Sequence, residues 1–435
     1  MIRSKFIPVT LAAFCGLAVG FAATAIVFVL TALCTMFVPA ASAQTAPKDG
    51  LYLYVCLPGN IQGDLTKGGA GLVVFNVDQG YKFVERIPLP IGPSNHGQSP
   101  GAAGDPPACK GIDASVQTGL VYPQVTDRLL AVNLETSQIA WQQVYDGGCC
   151  DRGVVSPFGE TIWQAGVNVA TWYVVSAYNG ALIDPINEFP IRAHNTQISP
   201  RGDQVLLSPA NNILYLYDTR THELIRQIGP FFNRNRPYVV NGDWTRVYAN
   251  NNGFLGFTAA DLTTGEILYR LDAPGTPPCQ TSVGAHGTCV HGLALTHDET
   301  AIWFPSASDN SIFVYNMNGD NKPTLRAKIA DIGPSGWITC SIDGRRMYPA
   351  SGTVFDTKSL IQVAHLIDEN GEFVYSEKLM EIRFVNGEPV QLGDQWCNGL
   401  VGSERFATTG QAYGRTAPGF QGYVPPGPKN GPHDR

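Results

Sequence analysis

Short apolar runs recur along the whole chain, each about one strand long and each closed by a polar turn. Three stretches overlay without gaps: Asp151–Trp163, His194–Leu206 and His291–Trp303. Each reads strand, turn, strand. Two of them lead into a third run that ends in Asp or Asn, Ile213–Asp218 and Ser311–Asn316, and then into a fourth such as Glu223–Ile228. Four short strands joined by turns predict one antiparallel sheet unit.

Carried along the chain, this register makes Lys110, Asp151, His194, Arg236, His291 and Gly336 equivalent, at spacings of 41, 43, 42, 55 and 45 residues. The long interval holds an insertion, Pro274 to Thr288. A further unit at the N-terminus (Leu51 to Cys56, Gly71 to Val77, Tyr81 to Pro88) lacks its first strand, which makes seven. One such sheet cannot bury both faces alone, whereas radial stacking buries every face and leaves only short edges. The expectation is an all-β, seven-bladed β-propeller of four-stranded antiparallel blades, its ring closed by a C-terminal strand. Leu379 to Val385 and Glu404 to Thr409 are the two candidates for that strand. Asn179-Gly180, Asn318-Gly319, Asp343-Gly344 and Asn386-Gly387 supply hairpin turns, since Asn and Gly tolerate positive φ.

Composition agrees with that reading. With 15% charged residues, 47 Gly and 31 Pro among 435, the chain is neither a disordered polyelectrolyte nor a coiled coil. Residues 6 to 47 are uncharged, Val9 to Val38 is almost wholly apolar, Arg3 and Lys5 precede it and Ala41-Ser42-Ala43 follows it. Residues 1–43 therefore read as a signal peptide, with a retained N-terminal membrane anchor as the competing reading. Either one exports the rest to a periplasmic or secreted location. Cleavage would take the net charge from −7 to −9, which argues against nucleic acid as a partner. The propeller is expected over 50–409, and the Gly- and Pro-rich stretch 410–435 reads as a disordered tail.

The blade pattern resembles the YVTN-type repeats of exported bacterial propellers, which in turn look like lactonase-type and quinohaem or methylamine dehydrogenase propellers. The likeness covers about residues 50 to 400 and implies fold rather than activity. Kelch and WD40 signatures do not recur. A more local resemblance, to pyrroloquinoline quinone dehydrogenase blades, rests on Leu129 to Trp141 followed by the adjacent pair Cys149-Cys150. Ala131, Asn133, Thr136, Ser137 and Trp141 approximate that family's docking motif, and Ala259, Asp261, Thr264, Gly265 and Tyr269 approximate it again. The family has eight blades and repeats the motif more often, so a quinone is the secondary reading.

Five of the six equivalent positions are ionisable, and in a propeller they begin the strands that line the channel. Lys110, Asp151, His194, Arg236 and His291, with Trp337 just after Gly336, form the expected ligand-binding mouth. Lys110 and Arg236 would contact anions, Asp151 would accept, and the histidines would act as acid, base or metal ligand. The plainer alternative is a wet channel whose charges are solvated or pair with one another, as Asp151 with Lys110. No metal site is assigned: His194 and His291 start blades two apart, and His286, Cys289, His291 and His297 match no standard zinc spacing. No catalytic residue is assigned either. The sequence lacks Gly-x-Ser-x-Gly and Walker motifs, and nothing singles out Asp113 or Asp243 for hydrolysis. Trp163, Trp244 and Trp303 read as blade packing.

The eight cysteines beyond the leader are disulfide candidates. Cys279 with Cys289 would close the inserted loop. Cys149 and Cys150 join each other or reach Cys109. Cys340 is a buried thiol or pairs with a distant cysteine, and Cys56 with Cys397 would clamp the ring closure. The functional expectation is an exported propeller, non-catalytic, binding a small polar or anionic ligand or another exported protein at the mouth. The alternative is an enzyme or enzyme subunit, either a quinone-linked dehydrogenase component or a lactonase-like hydrolase, with a metal ion or quinone as its cofactor.

Overall fold

A blade held between two others has to bury both of its faces, and the strands show how that is done. In Gln204–Pro209, Val205 and Leu207 pack toward the preceding blade while Leu206 packs toward the following one. Alternate side chains thus enter two different cores, which is why such strands read as unbroken apolar runs. The same division repeats around the molecule: each pair of adjacent blades encloses one apolar cluster, including the pair formed by the first and last blades. The outermost strands, such as Ile139–Gln143 and Leu224–Ile228, face solvent.

The computed structural model describes residues 48–58, 69–91, 108–167, 169–189, 191–274, 289–319, 321–330, 333 and 336–403. It is all β, with seven antiparallel sheets in a ring. Going round from the second blade, the inner strands are Cys109–Ser115, Val154–Val155, Ala193–Ile198, Asn235–Val240, Ala294–Leu295, Ile338–Cys340 and Leu379–Val385. Neighbours in this series touch, Ala193–Ile198 reaching Asn235–Val240 through the Gln197 amide on the Tyr238 carbonyl, and the last touches the first as well. The expected signal peptide over 1–43, the expected tail over 410–435, and Cys279, His286 and His96 lie outside the described residues.

The ring closes through Leu379–Val385. It pairs antiparallel with Gly50–Pro58 and supplies the first strand that the N-terminal unit lacks. The other candidate, 404–409, lies outside the described residues. Closure carries one feature the repeat pattern does not contain. A fifth strand, Glu388–Leu392, adds to the inner edge of this blade, and the chain then crosses the centre of the ring. Gln395 meets the Ile112 N–H and the Gly153 carbonyl, each at 3.3 Å, while Asn398 accepts the Val240 N–H at 2.9 Å. Leu295 donates to the Cys397 carbonyl at 2.9 Å, and Leu400 donates to the His297 carbonyl at 3.0 Å. The inward edges of the inner strands present backbone groups that need partners, and the crossing segment provides them. Its approach is close: a Cβ on Gly242 would run into the Leu400 backbone.

The disulfides correct one expectation. Cys397 bonds to Cys340, and Cys56 bonds to Cys109, so the expected Cys56 to Cys397 clamp does not form. The crossing segment carries Cys397 away from the closing blade and onto the inner strand of the last repeat, while Cys56 faces the second blade. Cys149 and Cys150 are bonded to each other rather than to Cys109. Cys289 is disulfide-bonded too, and its expected partner Cys279 lies outside the described residues.

Two consequences are measurable. The Cys340–Cys397 bond spans 57 residues, so replacing both cysteines by serine should lower the unfolding free energy by about 2–4 kcal/mol in non-reducing denaturant titrations. Glu381, on the closing strand, accepts the Tyr348 hydroxyl at 2.5 Å and the Ile342 N–H at 2.7 Å. Burial pushes its carboxyl up from 4.5 to about 7. A group raised in this way contributes fully below its unfolded value and loses that contribution as pH rises through its folded value. Glu381→Gln should therefore remove a decline in stability between about pH 4.5 and 7 that the parent protein shows on pH-dependent denaturation.

Candidate functional site

The inner strands do not run straight into the mouth. Cys109 pairs with Val125 and Gly111 with Gln124, which leaves Lys110 outside the ladder; Ala193 and Asn195 likewise skip His194, and Asn235 and Tyr238 skip Arg236. Each of the three is a bulge at the same point of the repeat. A bulge takes a residue out of register and re-aims its side chain. Asp151, His291 and Gly336 lie just before the short inner strands Val154–Val155, Ala294–Leu295 and Ile338–Cys340.

These positions converge. Asp151 Oδ2 lies 3.2 Å from His194 Nδ1, and its Oδ1 lies 3.3 Å from Arg152 Nη1. Arg152 also pairs with Glu377 at 2.9 Å, and Glu377 pairs with Lys378 at 2.8 Å. The His194 and His291 rings, two blades apart, stand only 6.2 Å between centroids, and His291 Nδ1 lies 2.8 Å from the Gly336 carbonyl. Arg236 donates to Asn252 at 2.6 Å. Trp337 is a support rather than an exposed platform. It is buried, donates Nε1–H to the Gln395 carbonyl at 2.7 Å, and carries the Arg152 guanidinium 4.2 Å above its ring. Trp396 of the crossing segment packs against it at 5.1 Å, so the crossing segment forms a floor beneath the mouth.

The electrostatics are lopsided. Among the described residues Lys110, Arg152, Arg192, Arg234, Arg236 and Lys378 act on one another, with Asp151 and Glu377 as the carboxylates between them: six basic side chains against two acidic ones. Burial, reinforced by neighbouring arginines, lowers Arg236 to about 9, Arg234 to about 10 and Lys378 to about 7. Burial lowers His194 to about 4 although Asp151 opposes the shift. For Asp151 burial works the other way, but His194, Arg152 and Lys110 outweigh it and hold the carboxyl well below its usual range. Several buried polar atoms lack hydrogen-bond partners among the described residues: Arg234 Nε and Nη2, Arg152 Nε and both amide atoms of Asn195.

Arg152, Arg192, Arg234, Glu377 and Lys378 escape a search restricted to the aligned positions. Arg192 and Arg234 each precede a ring position by two residues, the strand period, and extending the register to the closing strand would have reached Glu377 and Lys378. The other candidates fall elsewhere. Asp113 holds the Ala114 and Val155 N–H groups, and Asp243 ties a turn to Asn241 and Thr245. Trp163 and Trp303 are packed between blades. The residues resembling a quinone docking motif also have local tasks: Asn133 and Asp261 accept turn N–H groups, and Trp141 packs on Tyr122. His297, Cys340 and Cys397 cluster within 4.8 Å, but both sulfurs belong to one disulfide.

Fold and topology define a seven-bladed β-propeller. No protein-family model matches the chain, and no curated protein matches it in sequence. Among solved structures it is similar to the β-propeller domain of Cps50 (Swd1) from Myceliophteria thermophila, at a TM-score of 0.51 and 12% identity, over 64% of this chain and 94% of that one. At that identity the likeness concerns the fold alone.

Lys110 offers a direct test of the crowding. Burial lowers its pKa and Arg152 and Arg192 add to the effect, so the folded state disfavours its charge. Lys110→Met should raise the unfolding midpoint of the ligand-free protein at low salt, by about 1–3 °C in a thermal scan.

Proposed function

We propose that this protein is an exported propeller that holds a small anionic ligand at the mouth of its channel, without chemistry of its own. The observation that carries the reading is the imbalance, among the described residues, of six basic side chains over two carboxylates, with the guanidinium Nε and Nη2 of Arg234 buried and given no partner by those residues. Uncompensated buried charge is costly, and an oxyanion would supply both countercharge and hydrogen-bond acceptors. Export is supported by the leader-like first 43 residues and by disulfides that fit an oxidising compartment. Among the described residues no helix is long and apolar enough to cross a membrane. Kinship with YVTN-type propellers belongs to the same proposal and rests on the repeat pattern.

A second reading has one feature in its favour. The Asp151 carboxylate lies within ion-pair distance of His194 Nδ1, 3.2 Å, close to the arrangement that orients an imidazole as a base, so hydrolysis of an ester or lactone is the enzymatic alternative. Turnover that disappears in His194→Asn would establish it.

The binding reading is tested by thermal unfolding of the mature, oxidised protein with added sulfate or phosphate. A ligand at a hundredfold excess over its Kd stabilises by about 2.7 kcal/mol. Arg234→Gln should weaken the response about tenfold in ligand concentration, the value of one charge-assisted contact. Equal responses from the parent and the variant would reduce the effect to general salt stabilisation and overturn the reading.

A further inference from the structure

The anion-binding reading can be taken further, because the mouth contains a proton acceptor as well as cations. We infer that the site selects a multiply charged oxyanion, of the phosphomonoester or polycarboxylate kind, and that His194 takes up a proton as the ligand binds.

The first half rests on charge. Among the described residues six basic side chains face two carboxylates, so a monoanion would leave most of the positive excess unbalanced. Arginine forks also favour ligands that present two or more oxygens in a fixed geometry. Trp337 does not offer a free stacking face, since Arg152 already covers its ring. Charge and oxygen number, not an aromatic body, are therefore what this mouth can recognise.

The second half rests on the surroundings of His194. Asp151 lies against its Nδ1 and favours the imidazolium. Burial opposes it most, and Arg152 and Arg236 add to that opposition; the His291 ring stands 6.2 Å away. Without ligand the opposing groups prevail and the ring is neutral, with a pKa of about 4. A dianion among the same arginines cancels their field and adds its own negative charge beside the ring, while Asp151 stays in place, so the imidazolium is favoured more in the bound state than in the free one and the His194 pKa rises on binding. By linkage, binding that raises a pKa is strengthened as pH falls toward the free value. Lys378, at about 7, is already largely protonated below pH 6.5 and contributes little to that dependence there.

Isothermal titration of the mature, oxidised protein with sodium sulfate at constant ionic strength tests both halves. Sulfate keeps its charge across the pH range used, and sodium nitrate is the monoanionic control. Sulfate affinity should rise by up to tenfold per unit as pH falls from about 6.5 to 5. The binding heat should differ between buffers of different ionisation enthalpy, and nitrate should bind at least tenfold more weakly. His194→Asn should lose the slope of sulfate affinity against pH; the buffer dependence of the parent protein is decisive even if that variant fails to fold. Phosphate and citrate arms then distinguish the phosphoryl from the polycarboxylate source. Sulfate binding that is independent of pH and buffer, or nitrate binding of equal strength, would overturn the inference while leaving an anion site. Binding of no anion would remove the function reading itself.

Discussion

Every sheet in this protein has two apolar faces, and neither can be left in water. That requirement determines the rest of the structure. It forbids a free blade, so the units stack; it forbids a first and a last blade, so the stack bends into a ring; and it makes the N-terminal unit, which lacks a strand, depend on Leu379–Val385 from the far end of the chain. Each of the seven interblade clusters draws on two blades, so no blade is stable apart from its neighbours.

Ring closure solves the burial of side chains and creates a separate difficulty for the backbone. Strands at the centre turn their outer edge to a ladder and their inner edge to the channel, where peptide groups still need hydrogen bonds. Segment 388–403 answers that need on the inner edges of four of the other blades, and the Cys340–Cys397 bond fixes it to a fifth. Because Gln395 and Trp396 of the segment lie against Trp337, the device that completes the fold also forms the base of the charged mouth.

How much of this the sequence discloses depends on whether a feature repeats. Blade number, strand order within a blade and the missing first strand all follow from periodic burial, which apolar residues record at every turn. The ring positions Lys110, His194 and Arg236 are legible for the same reason, since the bulge that re-aims each occupies the same place in its unit. Segment 388–403 occurs once and bonds largely through the backbone, so no residue pattern marks it. The pairing of Cys397 was hidden with it, because the path of that segment decides which cysteine it meets. Glu377 and Lys378 were missed for a different reason. They precede a strand borrowed from outside the repeat array, and the register stops before reaching them.

A chain with a formal charge of −7 has no general reason to concentrate cations at one place. The concentration here carries a cost in the free protein, visible in the lowered pKa values of Lys110, Lys378, Arg234 and Arg236. Burial is the largest cause in each, and mutual repulsion adds to it. A cooperative ring can carry such a local cost, since seven interfaces share the stabilisation and none has to relax for the mouth to stay in shape. The bulges hold the side chains at fixed points, and Arg152, held between Asp151, Glu377 and the Trp337 ring, cannot swing out to water without giving up three contacts. Charges immobilised in this way do not rearrange to relieve one another. Rigid placement of this kind is what allows a site to distinguish one countercharge from another.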